Sequence, residues 1–292
     1  MAEILRDNGY FTIGIHSNAR FARFSEYGKG FSIFEDLEIF SDESTKKENN
    51  LKSIFFGYAK RIYQSSPSSI KSLLSKSYYL FTLKLLKPQR PPYASAIETT
   101  RKALQHLKQS SSPFFLWIHY MDTHHPYFPP KHFFEELSDQ KLDILRGIKL
   151  IKKILHSGYN PTDKERQFIV DLYDSSIKYI DNTIGLLFEY LNEQDLLNNT
   201  YVVITADHGE ELWDHGHYGH GAQIGRPMTL YNEMIHVPLL IIGSHIKHSE
   251  VRVPVSLVDM VPTILSMLGI RHRGHFGGRD IVSTSQKMSY NC

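Results

Sequence analysis

Four short runs rich in β-branched and aromatic residues recur along this chain: Phe11–His16, SPFFLWIH ending at His119, Tyr201–Thr205 and Val237–Ile242. Longer stretches with helical periodicity separate them. Ala2–Asn8 is amphipathic and closed by Gly9. Ser95–Leu107 and Lys131–Leu155 follow, then Thr162–Leu191 with an apolar stripe at Ile169, Leu172, Ile177, Ile180, Ile184 and Leu187. Leu257–Leu268 is a last helix, stopped by Gly269. Strands that alternate with helices build an α/β sheet covered on both faces. Ligands of such sheets sit at the carboxyl ends of the strands, so the residues just past each run carry most of the information about function.

Composition narrows the classes. The chain has 292 residues, 41% hydrophobic and 22% charged, which is enough for one large globular core. A net charge of +2 provides no basic surface for nucleic acid. The lone cysteine is Cys292, so no internal disulfide can form. No apolar run approaches the roughly 20 residues of a membrane span. The opening MAEILRDNGY does not read as a signal peptide, so an export signal is expected only outside these residues. Ser41–Asn50 reads as a polar linker, and Ile54–Lys87 as an aromatic, basic insert that Pro88–Pro92 closes. Residues 41–92 are therefore expected to be a variable lid or packing insert within a single domain spanning 1–292, with a membrane-surface helix as the alternative.

Three constellations follow strand ends. Asp207-His208 offers a hard oxygen and a nitrogen from a rigid edge, which suits a divalent cation; the plain alternative is an aspartate capping a following helix. In Asp214 to His220, glycines at 216, 219 and 221 let backbone approach a ligand while His215, His217 and His220 point different ways; the alternative is a histidine-rich surface loop. Asp122-Thr123-His124-His125-Pro126-Tyr127 places histidines on a stiff loop or forms a simple turn.

Taken in order, these stretches resemble the sulfatases of the alkaline-phosphatase superfamily. PFFLWIHYMDTHHPYFPP is similar to the family's strand and Pro-His-x-Pro-Tyr loop, with Thr123 in the first proline position and His124 as the matching histidine. YDSSIKYIDNTIGLLFEYL followed by NNTYVVITADHGEEL resembles the helix and strand that deliver a metal-binding pair, here Asp207 and His208. GHYGHG ahead of LYNEMIHVPLLIIG resembles the loop that contacts sulfate, which gives that role to His220. VSLVDMVPTILSMLGI is similar to the closing helix, and AEILRDNGYFTIGIHSN with GKGFSIFED to the stretch after the family's nucleophile segment.

The resemblance implies a three-layer α/β/α alkaline-phosphatase-like fold with a mostly parallel sheet. It also implies hydrolysis of small-molecule or glycan sulfate esters. His124 and His220 are expected to hold the anion and help protonate the leaving group, while Asp207 and His208 bind one divalent cation, calcium first and manganese as the alternative. The nucleophile in the family is a formylglycine made from Cys or Ser in a Cys/Ser-x-Pro-Ser-Arg motif. No such motif occurs here: Ser65-Ser66-Pro67-Ser68 continues with Ser69, and Cys292 is the last residue. The nucleophile and a first strand with paired metal-binding aspartates are thus expected ahead of Met1, leaving this chain half a site and no turnover of its own. Two-metal relatives use Asp-x-x-x-His at this loop; Pro126 stands four residues after Asp122, so one metal is expected. A phosphonate or phosphodiester hydrolase of the same superfamily and a non-catalytic binding subunit are the alternatives.

Overall fold

The structure, a computed structural model, describes residues 1–18, 21, 26–37, 91–110, 113–220, 229–244, 246, 248, 250, 252–271, 274 and 276–282. Residues 41–90 of the expected insert lie outside them. Helix α1 (Ala2–Asp7) ends where Gly9 takes a φ of 86°, a left-handed conformation that a side chain would strain. Strand β1 (Phe11–His16) follows and pairs in parallel with β2 (Ile33–Asp36) on one side and β3 (Phe114–His119) on the other. The sheet order is β2-β1-β3, which leaves β1 central. Both of its faces are accordingly buried: Ile13 and Ile15 pack with Ala103 on one, and Thr12 and His16 lie on the other. Register places His16 beside both His119 and Asp36, so three titratable residues leave the sheet together at its carboxyl end.

Helix α2 (Ala96–Gln109) packs on β1 and β3. It starts at Ser95, whose backbone N–H donates to Glu98 at 2.9 Å, and the buried Asp122 accepts the Ala96 N–H at 3.1 Å. The expected helix over 131–155 is two helices, α3 (Lys131–Glu135) and α4 (Ile144–Ser157), because the Asp143 side chain accepts the Arg146 N–H and starts a new one.

The long α5 (Asp163–Glu193) opens with a reciprocal cap between Thr162 and Glu165 and packs against α2, α3 and α4. Its buried face departs from the expected stripe. Ile169 and Leu172 are buried, but Ile177 is 44% exposed, and Ser175, Ser176, Tyr179 and Thr183 continue the face inward. At 100° per residue, position 176 realigns with 169, whereas 177 has rotated past it.

Strand β4 (Val202–Thr205) pairs antiparallel with β7 (Leu239–Ile242), and β5 (Glu211–Leu212) with β6 (Tyr218–Gly219) forms a short hairpin. Between them lies the short helix α6 (Asn232–Ile235). The segment from Leu257 begins as a tight turn over Leu257–Asp259 and becomes helical as α7 (Met260–Met267). Parallel pairing in the central sheet, helices packed on it and two antiparallel pairs together give an α/β fold.

Candidate active site

Asp207 leaves β4 and does not cap a helix, because the chain continues into the β5–β6 hairpin instead. Its carboxylate accepts the backbone N–H of His208 at 3.0 Å and is 67% exposed. His208 lies beside it, with Nε2 4.0 Å from Asp207 Oδ2. The ring of His208 has Nδ1 2.8 Å from the Gly209 carbonyl. A carbonyl only accepts, so Nδ1 carries a proton, and Nε2 is the nitrogen that a neutral ring can offer to a cation.

The same reasoning fixes two more rings. His124 Nδ1 lies 2.6 Å from the His125 carbonyl and must donate to it. His220 Nδ1 lies 2.9 Å from Glu210 Oε1, donating to a carboxylate that is 4% exposed. Ring centroids stand 4.3 Å apart for His208 and His220, 4.9 Å for His124 and His220, and 4.6 Å for His124 and His125. The loop after β3 and the loops after β4 therefore meet, and all four residues named from the sequence, His124, Asp207, His208 and His220, fall in one place.

Three residues that sequence reasoning did not assign hold this meeting point together. Glu210 Oε2 accepts the Tyr127 hydroxyl at 3.3 Å and stands 3.9 Å from His125 Nδ1, an electrostatic contact beyond hydrogen-bond length. The Tyr218 hydroxyl donates to that of Tyr127 at 3.2 Å. Both tyrosines are about 1% exposed and belong to the same apolar cluster as Phe134, Phe168 and Leu172. Glu210 thus ties the HHPY loop to the hairpin from beneath. Its position directly after Asp207-His208-Gly209 was the one available hint.

Electrostatics follow from this burial. Desolvation pushes the Glu210 carboxyl up, but the imidazoles of His125 and His220 outweigh it and draw the pKa down to about 2. Burial pulls His124 the other way for a base, to about 3, with the charges of His125 and His220 adding to the effect. His124 is therefore neutral near pH 7. Beside the site, burial lowers His119, and it lowers His16 to about 4 with the help of His119.

Not every histidine of the glycine loop converges. His215 stacks on Tyr231 with centroids 3.7 Å apart and sits 3.7 Å from Glu211 and 3.6 Å from Glu233, which docks the hairpin onto α6. Glycine is needed where this loop turns: Gly216 and Gly219 have φ of 78° and 84°.

A family profile described as Sulfatase matches residues 1–270. Arylsulfatase K of Danio rerio is 31% identical over 129 residues, which are 44% of this chain and 23% of that protein. Arylsulfatase K of Mus musculus is 27% identical over 221 residues, 66% of this chain and 38% of that protein, so the matches span well under half of these relatives. In fold, the chain is similar to the phosphonate monoester hydrolase of Agrobacterium radiobacter, with a TM-score of 0.60 at 16% identity over 97% of this chain and 60% of the other.

Proposed function

Because this chain belongs to the sulfatase family, we infer that it carries the cation- and anion-binding half of a sulfuric ester hydrolase site. The observation that carries this reading is the meeting of His124, His208 and His220, with ring centroids within 4.9 Å of a neighbour, beside the exposed carboxylate of Asp207.

Asp207 and His208 suit a divalent cation. They offer one hard oxygen and one nitrogen lone pair at a strand end, and His208 is the one ion-pair partner of Asp207 among the described residues. Calcium is the ion we assign there, with manganese second. A bound ion would neutralise charge on the oxygens of the ester's sulfate group.

The protein's own groups do the rest. Glu210 accepts from Nδ1 of His220 and so orients the ring with Nε2 towards the departing oxygen, as a buried carboxylate does behind a catalytic histidine. Burial holds His124 neutral near pH 7, with Nδ1 donating to the His125 carbonyl. The HHPY loop and the hairpin, tied by Glu210 and Tyr127, keep the two rings in register.

The covalent nucleophile is the part that the 292 residues do not supply, since they contain no Cys/Ser-x-Pro-Ser-Arg. Loss of a nucleophile from such a unit costs on the order of a millionfold in rate. The test is to assay the chain on an aryl sulfate and an aryl phosphodiester with calcium and with manganese, alone and joined to a segment bearing that motif and paired aspartates. Sulfate turnover is expected only in the joined form, and it should be lost with Asp207→Ala. Robust turnover by the chain alone that survives Asp207→Ala would overturn the assignment. Preference for the phosphodiester in the joined form would move it to the phospho-ester branch.

A further inference from the structure

The imidazoles of His124, His125 and His220 form a cluster that an anion pocket alone does not explain. One ring nitrogen from each lies within 4.8 Å of those of the other two, the one such group of three among the described residues. His124 and His220 each have Nδ1 engaged as a donor, one to a backbone carbonyl at 2.6 Å and one to a buried carboxylate at 2.9 Å. Those are the two outer partners that metal-bound histidines ordinarily have, and each leaves Nε2 as the nitrogen that a neutral ring offers to a cation. A nitrogen lone pair is a ligand for a borderline cation. Glu210 adds a buried negative charge beside two of the rings, 3.9 Å from His125 and 2.9 Å from His220.

We propose that His124, His125 and His220 form a second cation site, selective for a borderline transition ion such as zinc and separate from the Asp207–His208 position. Three nitrogen donors and no hard oxygen in direct contact disfavour calcium, which takes oxygen ligands, and favour zinc, for which imidazole is a common ligand. Zinc–nitrogen bonds of about 2.0–2.1 Å put two ligands of a tetrahedron about 3.4 Å apart, so the rings close by about an ångström on binding. The ligand set does not use the Asp-x-x-x-His spacing that Pro126 interrupts. It arises from two loops that only the fold brings together.

The experiment uses the full chain, stripped with chelator, and titrates it at neutral pH with cobalt(II), zinc and calcium separately. Cobalt is expected to give the visible absorption bands of a nitrogen-rich tetrahedral site, and zinc to displace it. Zinc affinity should fall about tenfold or more in each of His124→Ala and His125→Ala, and about 10–100-fold in Glu210→Gln, which loses the outer charge. Asp207→Ala should leave zinc affinity within about twofold while weakening calcium, which separates this site from the one proposed above. Long-range proton–nitrogen NMR of the wild type provides a readout independent of any variant's folding: the nitrogens of His124, His125 and His220 that bind should shift on zinc addition. Absence of those shifts, or zinc binding that survives both histidine variants and is lost in Asp207→Ala, would overturn the proposal.

Discussion

Glu210 accepts a hydrogen bond from His220 at 2.9 Å, and the pair joins the first turn after β4 to the end of the β5–β6 hairpin. The carboxylate stays ionised while buried because His125 and His220 outweigh its desolvation. A buried charge that is this well partnered is costly to disturb.

Acid stability should report that partnership. Glu210 has a folded pKa of about 2 against an ordinary 4.5, so it stabilises the fold above pH 4.5 and this contribution is lost as pH falls towards 2. Glu210→Gln is expected to lower stability near neutrality by about 1–3 kcal/mol and to flatten the decline in that acid window. Urea unfolding at several pH values measures both. An unchanged acid profile would show that the pair contributes nothing.

Asp122 should act in the opposite sense. Burial raises its carboxyl to about 7 from an ordinary 3.8, while the Ala96 N–H partly offsets the rise. Between those values the unfolded chain is ionised and the folded one is protonated, so stability falls as pH rises from 3.8 to about 7. Asp122→Asn keeps an acceptor for Ala96 and cannot ionise. It is expected to be more stable than wild type at pH 7 by about 1–2 kcal/mol, and equal to it below pH 4. Thermal melts across that range decide the matter, and a wild type with no slope there would contradict the argument.

Calcium binding should depend on Asp207. Calorimetric titration of the chain is expected to show weak binding, because two ligands leave most of the coordination sphere to water, and Asp207→Ala should abolish it. Calcium affinity that does not change in this variant would place the ion elsewhere.

Gly209 is required for space rather than for backbone freedom. A Cβ built there would lie 1.8 Å from the Glu233 carbonyl oxygen, and its own N–H already donates to Met234 at 2.8 Å. Gly209→Ala should separate α6 from the site loop and cost more than about 2 kcal/mol, read as a lower melting temperature together with weaker calcium binding. Normal values of both would mean that α6 moves aside freely.

Strand and helix periodicity made β1, β3, β4 and most helices legible, because those patterns depend on neighbours in sequence. The Asp207-His208 pair and the HHPY loop were visible for the same reason, as short motifs at strand ends. The break between α3 and α4 and the true inner face of α5 were decided by tertiary packing, where Asp143 restarts a helix and serines replace the expected Ile177. That His124, Asp207, His208 and His220 share one site was expected from their places past strand ends, but the groups that hold them together were resolved only in three dimensions. His124 and His220 are 96 positions apart, and nothing local to either shows that Glu210 will hold one, Tyr127 will tether the other's loop and His125 will turn towards both. Sequence carries the chemical identity of each group. Its protonation state and neighbours come from burial and loop docking, which are properties of the folded chain.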